Sequence, residues 1–553
     1  MTAFVSATNL SVLLRARRFL MGPALLLSVL TLASSTPAQN DQGSATMVVM
    51  KSTRHAVSAA VRALPQVSAF SEETDVHAPL PLPPFRNMAQ NNQTRITDTA
   101  LQAGSFQVLD IAGLLLNFDG ISVGDGSGRI VAPPDTNGAV GLTQYVQSVN
   151  LAFAIYDKAT GTLISGPTPT NALWTGFGGD CEARNDGDPI VLYDRDANRW
   201  VISQFALGPF FTGTGSFLQC VAVSTSGDAT GSYNLYAFDF GTDDFIDYGK
   251  LGSWPTGYFA SFNTFNRTGS YFKYGKECAF DRTAMVNGDP TARGVCFNTP
   301  RDAGFLPSDF DGSIPPPVGA ADPFLEIWDV GLNSSLAIWP FRVDYDTPSN
   351  SSFGPPVILP VASFSLPPRT PVPQAGTLQL LDSLGDRMMF RLAYRNFGDH
   401  ESLVANHTVG NASQVSVRWY EIRDPNGTPV VYQQGTYAPD TSFRWMGSIA
   451  MDQVGNIAMA YSVSDRMSKP SIQFTGRQNT DPLGTMESEA LIFAGPGAQT
   501  TYLSRWGDYS DVTVDPVDGC TFWYTTEYIP FDGTFNWKTR IASFTFSNCP
   551  ATP

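Results

Sequence analysis

Four aspartates occupy corresponding places in a pattern that recurs along the chain. Asp135, Asp188 and Asp247 each stand six residues before a predicted tight turn, and Asp508 stands one residue off that place in a later copy. Carboxylates gathered at one site can hold a cation through oxygen ligands. They can also supply the acid and the base of a hydrolysis when their surroundings separate their pKa values. We therefore interpret Asp188, Asp247 and Asp508 as candidate catalytic residues and Asp135 as a candidate ligand-binding residue.

Two Arg-Trp pairs stand at the starts of other copies of the pattern, Arg444 with Trp445 and Arg505 with Trp506. Guanidinium groups make paired hydrogen bonds and indole rings stack on flat apolar faces, so these four residues are candidate ligand-binding residues for a sugar. A structural role stays open for both sets. Aspartates at strand starts often cap their own turns, and Arg-Trp pairs often stack between neighbouring sheets.

His400 lies in the densest polar cluster of the chain, between Asp399 and Glu401. The cluster combines acid, base and metal-ligand character, so His400 is a further candidate catalytic residue, with Asp399, Glu401 or Glu527 as its partner. Hydrogen bonding within a loop is the alternative interpretation. With only four histidines in the chain, the sequence argues against a multi-histidine metal site.

Calcium is the one cofactor that the sequence suggests, and no cofactor is certain from it. The segment from Asp194 to Asn198 begins like a calcium loop, but Arg199 stands where the loop needs glycine, and the segment is interpreted as a hairpin turn. The segments 135–138 and 119–125 are richer in Asp and Gly and are better calcium candidates.

The elements that must position these residues are hairpins. Three segments, 188–203, 447–461 and 510–524, each read as an apolar run, an Asp, Asn or Gly turn and a second apolar or aromatic run, which indicates paired strands. Weaker copies begin near residues 135, 247 and 380, and the gap between the turns at 253 and 382 is about twice the others. A degenerate copy between Asp311 and Trp328 would fill that gap. The sequence therefore predicts an all-β propeller, most consistent with seven blades, although six are possible.

The ends of the chain predict its organisation and its export. Residues 1–38 combine arginines, an apolar run and a small-residue exit, the layout of a signal peptide, with a retained anchor as the alternative. Residues 39–104 are polar and rich in proline, and are predicted to be a disordered leader. A single propeller domain is predicted for residues 105–549, with the strand near 106–118 pairing with 540–546 to close the ring. The expected location is extracellular or periplasmic.

Six cysteines in an exported chain, none in a Cys-x-x-Cys spacing, predict three disulfides. Six cysteines allow 15 connectivities, but sequence neighbours in a propeller share a blade. The predicted pairs are Cys181 with Cys220, Cys278 with Cys296, and Cys520 with Cys549.

The net charge of −16 argues against a nucleic-acid partner, because such proteins carry a basic stripe along the phosphate backbone. No phosphate loop or dinucleotide fingerprint is present, which disfavours nucleotide chemistry. After removal of the signal peptide no membrane span is expected. A monomer is expected.

Four segments, 133–138, 391–401, 444–452 and 505–510, resemble a family of uncharacterised secreted bacterial β-propeller proteins. The resemblance covers nearly all of the mature chain and implies an exported propeller, but no particular chemistry. More distantly the chain is similar to sialidase-type propellers. It lacks their Ser-x-Asp-x-Gly-x-Thr-Trp turn box, and their three-arginine clamp has no clear counterpart.

These observations predict a secreted propeller with a glycan-directed pocket on the axis of its central channel, and if it is an enzyme, a glycoside hydrolase is the predicted class. The alternative is a non-catalytic extracellular propeller that binds a protein or a surface polymer. The environment of the aspartates discriminates between the two. Two carboxylates facing each other across an open pocket favour hydrolysis, whereas carboxylates bound to backbone amides favour a scaffold or a binding protein.

Overall fold

A computed structural model describes residues 45–64, 74–77, 80, 82–83, 96–107, 110–208, 215–410 and 414–549. The predicted signal peptide lies outside the described residues. In the described ranges, no helix has the length and apolar character needed to cross a membrane.

The N-terminal part contributes five strands that precede the repeating units. They are β1 (Thr46–Val57), β2 (Thr74–Val76), β3 (Leu101–Gln102), β4 (Ile111–Ser122) and β5 (Ile130–Ala132). A short parallel pair is formed by β2 and β5, and β3 joins the edge of a later sheet.

The remaining strands follow one another as antiparallel meanders. In chain order they are β6 (Asn137–Val140), β7 (Gln144–Val149), β8 (Ala152–Asp157), β9 (Leu163–Pro169), β10 (Ile190–Asp194), β11 (Arg199–Leu207), β12 (Phe217–Ser224), β13 (Tyr233–Asp239), β14 (Phe245–Trp254), β15 (Gly257–Phe265), β16 (Phe272–Phe280), β17 (Arg293–Thr299), β18 (Ser308–Asp311), β19 (Asp322–Asp329), β20 (Ser335–Arg342), β21 (Ser352–Phe353), β22 (Val357–Pro360), β23 (Met389–Asn396), β24 (Glu401–Gly410), β25 (Val415–Arg423), β26 (Val430–Tyr437), β27 (Phe443–Met451), β28 (Ile457–Ser464), β29 (Ser471–Arg477), β30 (Ala490–Phe493), β31 (Asp511–Val514), β32 (Phe522–Tyr528) and β33 (Lys538–Phe546).

Helices are short and peripheral in the described ranges. They are α1 (Asp180–Ala183), α2 (Arg282–Val286) and the 3₁₀ turns Val61–Ala63, Thr170–Trp174 and Pro348–Asn350.

The first strands of the meanders contact one another in a closed ring. Strand β6 contacts β10, β10 contacts β14, β14 contacts β18, and the series continues through β23, β27 and β31 back to β6. Radial repetition of antiparallel sheets around an axis is the architecture of a propeller. The predicted all-β propeller is therefore confirmed, and the ring is consistent with seven blades.

The fourth unit is the irregular one, and it lies in the gap where a degenerate copy was predicted. Strand β18 forms a parallel pair with β23 of the next unit, while β19 pairs antiparallel with β20, and β20 pairs antiparallel with both β21 and β22. Buried aromatic side chains fill the space between this sheet and its neighbours, and among them are Phe259, Phe324, Trp339 and Phe353. The proline-rich sequence thus interrupts the regular ladder, but the packing of the ring continues.

The ring closes as predicted through strands from both ends of the chain. Strand β4 pairs antiparallel with β33, and Ile541 lies opposite Phe118. The pair completes the last sheet, in the order β31, β32, β33 and β4. Closure of this kind removes an exposed sheet edge.

The structure differs from the expectation of a disordered leader in the segment 46–57. Strand β1 pairs with β13 on one side and with β17 on the other, so it joins two meanders into one nine-stranded sheet. Its alternating exposed and half-buried residues, with β-branched side chains among them, suit a strand at a partly exposed position. The prediction of disorder relied on the average polar composition of residues 39–104, which hides the alternating pattern of this short segment.

The three predicted disulfides are confirmed in their connectivity. Cys181 pairs with Cys220, Cys278 with Cys296 across β16 and β17, and Cys520 with Cys549. None of the six cysteines is free.

Candidate functional site

The structure brings Asp135, Asp188, Asp247 and Asp508 together at one mouth of the central channel, which we call the acid mouth. They lie just before the inner strands β6, β10 and β31 and in the first part of β14. Asp135 and Asp188 have the left-handed backbone conformation, with φ of 48° and 46°. Asp tolerates this conformation better than most residues, and it gives the sharp turn into each strand.

Two of these four carboxylates, those of Asp135 and Asp188, accept hydrogen bonds from a neighbouring unit, and among the described residues neither caps its own turn. Asp135 Oδ1 accepts from the backbone N–H of Asp508 at 2.7 Å, and Asp135 Oδ2 accepts from the Asn150 side chain at 2.6 Å. Asp188 Oδ2 accepts from the backbone N–H of Tyr248 at 3.0 Å. These contacts tie successive units together at the mouth.

Asp247 is different. It is half-buried, and its carboxylate has no hydrogen-bond partner among the described residues. Burial raises its pKa to about 7, helped by the nearby charges of Asp188 and Asp508. An acid with a pKa near neutrality can hold or release a proton at the pH at which an enzyme works.

Arg505 is the central cation of the acid mouth. Its guanidinium lies 2.8 Å from Asp382 Oδ2 and 2.5 Å from Asp508 Oδ1. Asp382 Oδ1 also accepts from the backbone N–H of Trp506 at 3.1 Å. The buried positive charge is therefore matched by two carboxylates from different parts of the chain.

Asp382, Glu527, Lys250 and His77 complete the mouth, and the sequence did not assign them to this group. Burial raises the pKa of Asp382 to about 6 and that of Glu527 to about 8. Burial also lowers the pKa of Lys250 well below its ordinary value. The Lys250 Nζ lies 3.1 Å and 3.5 Å from the ring centroids of Tyr248 and Tyr509, a double cation–π contact.

The leader supplies part of the acid mouth through His77. Its backbone N–H donates to the Ala132 carbonyl at 2.9 Å, and its carbonyl accepts from Arg505 Nε at 2.5 Å. A nitrogen of its ring and one carboxylate oxygen each from Asp135 and Asp188 lie within 4.8 Å of one another. These are the residues of the mouth that could hold a metal ion. No pattern in the sequence pointed to His77.

Arg444 and Trp445 lie away from the acid mouth. Arg444 pairs with Glu489 at 2.6 Å and with Asp440 at 2.8 Å. The Trp445 ring is fully buried and packs against Trp506, with ring centroids 5.6 Å apart. The Trp506 indole N–H donates to Ser462 at 3.0 Å. Both tryptophans therefore fill the core beneath the mouth.

His400 also lies outside the acid mouth, in the turn between β23 and β24. Its Nδ1 lies 2.8 Å from Asp399 Oδ1, and its ring stacks on Phe397 with centroids 4.9 Å apart. These are the local contacts that the loop interpretation anticipated.

The loops considered for calcium use their carboxylates within the protein. Asp194 accepts from Arg282 at 2.6 Å and 2.8 Å, Asp125 accepts from the backbone N–H of Ser122 at 2.9 Å, and Asp119 pairs with Arg540 at 2.7 Å. Calcium binding stays a prediction.

The opposite mouth of the channel holds an open pocket, which we call the far pocket and which sequence reasoning missed. It is open on one side, and its cavity volume is about 80 Å³. The far ends of the inner strands and the turns after them form its walls. The polar side chains in its lining include Arg195, Asp311, Arg391, Arg395, Asp511 and Thr513.

Comparison with known proteins identifies no family. No family model matches the chain, and no curated protein is significantly similar to it. The predicted resemblance to secreted bacterial propeller proteins therefore stays a prediction.

Several solved structures are similar to the chain at low identity. Drosophila semaphorin 1b shows 7% identity over 80% of this chain and 88% of that one, with a TM-score of 0.37. An ulvan lyase bound to its saccharide shows 11% identity over 79% and 97%, with a TM-score of 0.34. A Trypanosoma rangeli sialidase shows 11% identity over 64% and 54%, with a TM-score of 0.29.

Proposed function

We propose that this chain is an exported, glycan-directed propeller whose acid mouth hydrolyses a glycosidic bond. The observation that carries the proposal is the environment of Asp247. It is the one predicted catalytic aspartate of the mouth without a hydrogen-bond partner in the described residues, and it has a pKa of about 7.

In this proposal Asp247 is the general acid that protonates the leaving oxygen. Near neutral pH a large fraction of its carboxyl groups is protonated, as the role requires. Glycoside hydrolysis needs a second, ionised carboxylate near the sugar ring. Asp508 is the proposed second group, because Arg505 lies beside it and stabilises the carboxylate charge.

Export is part of the proposal and rests on the three disulfides and the N-terminal sequence pattern. Disulfides form and persist in oxidising compartments, and all six cysteines of this chain are paired. A polymer in such a compartment, outside the cell or in the periplasm, is the proposed substrate class.

The direct test is a hydrolysis screen of the purified exported chain against neutral and acidic polysaccharides, measured as the release of reducing ends. We expect activity on at least one substrate and a loss of 100-fold or more in Asp247→Asn, because general acid catalysis contributes about 10²- to 10⁴-fold. Asp243→Asn is the matched control, since Asp243 is an exposed neighbour on the same segment. Full activity in Asp247→Asn would remove Asp247 from the mechanism.

A non-catalytic binding propeller is the second candidate, favoured by the hydrogen bonds of Asp135 and Asp188 to neighbouring units. Groups with that role stabilise the ring. On this alternative, Asp188→Asn lowers the melting temperature by several degrees, and no polysaccharide in the screen is cleaved. A catalytic role predicts the reverse, namely lost turnover with a small change in melting temperature.

A further inference from the structure

The far pocket lies at the end of the channel opposite the acid mouth. The inner strand β10 starts after Asp188 at the acid mouth, and its last residues, with Arg195 after them, line the far pocket. Strand β31 runs the same way, from Ser510 to the pocket-lining turn 515–519. The two sites share no lining residue among those described above, although Asp511, the first residue of β31, lines the far pocket only three residues after Asp508.

Buried arginines form one wall of the far pocket. Arg391 is 1% exposed and donates to Asp309 at 2.9 Å, to Asp311 at 2.6 Å and to the Val512 carbonyl at 3.2 Å. Arg395 is 4% exposed, and its only hydrogen bond among the described residues runs from Nε to the Met451 carbonyl at 3.1 Å. The Nη groups of Arg395 are thus available as donors in a pocket that this residue lines.

Three buried oxygen atoms in the lining have no hydrogen-bond partner in the described part of the chain, namely Asp311 Oδ2, Asp511 Oδ1 and Thr513 Oγ1. The other oxygen of Asp511 is engaged, since Oδ2 accepts from the Asn137 side chain at 3.0 Å and from the Gly138 N–H at 3.3 Å. Asp511 itself is only 1% exposed. A buried acceptor left without a donor is destabilising, so a ligand that donates hydrogen bonds to these atoms would stabilise them.

The chemistry of the lining selects the class of ligand. A metal ion is disfavoured, because the Arg391 guanidinium lies between carboxylates. In addition, the one described group of three His, Cys, Asp or Glu residues with metal-ligand spacing is at the acid mouth. A simple anion is disfavoured by five aspartates in the lining, Asp309, Asp311, Asp511, Asp515 and Asp518.

Hydroxyl groups can pair with both the free N–H donors and the unpartnered oxygen acceptors of the lining. Each sugar hydroxyl donates one hydrogen bond and accepts others, so it can meet Asp311 and Asp511 as a donor and Arg395 as an acceptor. Tyr193 also lines the pocket, and an aromatic side chain is a typical partner for the apolar face of a sugar. We propose that the far pocket is a binding site for a neutral saccharide residue. This proposal goes beyond hydrolysis at the acid mouth and does not depend on it.

The test is titration calorimetry, with saturation-transfer NMR, of the full exported chain against glucose, galactose, mannose and rhamnose. Calcium chloride and sodium sulfate are the comparison ligands. We expect at least one neutral sugar to bind, with no binding of calcium or sulfate at this site. Absence of binding by all four sugars, or competition of calcium or sulfate for the same site, would overturn the proposal.

Variants locate the binding. Thr513→Val removes one unpartnered oxygen, and Arg195→Gln removes a half-buried charge at the rim, so each should weaken sugar binding about tenfold. Thr162→Val, at an exposed threonine of an outer hairpin, should leave the affinity unchanged. Asp247→Asn should also leave it unchanged, which separates this proposal from the one on hydrolysis. Sugar binding that survives both Thr513→Val and Arg195→Gln contradicts the assignment.

Discussion

The two mouths of the channel are both rich in aspartate and arginine, yet they use these residues differently. At the acid mouth, Asp135, Asp188 and Asp382 accept from backbone N–H groups of other segments. At the far pocket, Asp311 and Asp511 each keep an oxygen without a partner. Carboxylates whose oxygens accept hydrogen bonds from the chain hold the ring together, whereas a buried oxygen beside a pocket that lacks a partner is a candidate for a hydrogen bond from a ligand. Residue composition alone therefore does not distinguish a cluster that stabilises the ring from a cluster that binds a ligand.

The largest expected effect is the loss of the central cation of the acid mouth. Arg505→Met leaves Asp382 and Asp508 buried without their counter-charge, and breaking a buried pair in this way costs about 3 to 5 kcal/mol. The same change at the other end, Arg391→Met, should cost less, because Asp309 and Asp311 line an open pocket that water can enter. Denaturant unfolding of both variants measures the difference. Equal losses of unfolding free energy in the two variants would mean that water is excluded equally from the two arginine sites.

The second prediction concerns pH. The raised pKa values of Asp247, about 7, and Glu527, about 8, mean that the folded chain keeps protons that the unfolded chain has already lost above pH 5. The folded state binds more protons, so the free energy of unfolding falls as the pH rises through this range. Between pH 6.5 and 8, the loss from Glu527 should be about 1 to 2 kcal/mol.

Glu527→Gln tests this prediction, because glutamine keeps an acceptor for the Gly507 N–H but cannot ionise. Its unfolding free energy should fall less steeply between pH 6.5 and 8 than that of the parent chain, and Asp243→Asn should retain the parent slope. Burial lowers the pKa of His407 to about 3, so near pH 6.5 this imidazole takes up a proton only in the unfolded state, and its contribution is the same in Glu527→Gln and in the parent chain. A stability that rises over this interval would contradict the sign.

The smallest effect separates a satisfied hydroxyl from an unsatisfied one. Ser510 Oγ donates to the Met446 carbonyl at 2.9 Å, so Ser510→Ala should cost about 1 kcal/mol. Thr513, three residues further on, has an Oγ1 without a partner, and Thr513→Val should change stability by less than about 0.5 kcal/mol. Thermal and denaturant unfolding of the pair give the comparison. A larger loss in Thr513→Val would show that its hydroxyl is used in the ligand-free chain.

The parts of the molecule that follow from repetition were predictable. Equal places in a radial repeat lie on a circle, which is why Asp135, Asp188, Asp247 and Asp508 meet although hundreds of residues separate the first from the last. The disulfides followed from the same logic, since neighbours in sequence share a sheet.

Contacts that break the repeat were not predictable. His77 comes from outside the repeating units, and Arg444 finds Glu489 and Asp440 within its own unit, although its position in the pattern matched that of Arg505. The far pocket was missed because many of its residues lie in the turns after the inner strands, and the sequence pattern predicts only simple hairpins there. Whether a polar group there has a partner is a property of packing, which one sequence does not express.

Strand β1 has a consequence for the order of assembly. It is the first described strand to be synthesised, yet Thr46 pairs with Asn298 and Val57 with Asn234. Strand β1 cannot complete its pairing until both β13 and β17 have been synthesised, and pairings between residues so distant in sequence are slow to form. The earliest strand must therefore wait until three whole blades, β6–β9, β10–β13 and β14–β17, have been synthesised. When β1 pairs, it joins the second and third blades into one sheet. It also covers the edges of β13 and β17, which would otherwise be open to pairing with other chains.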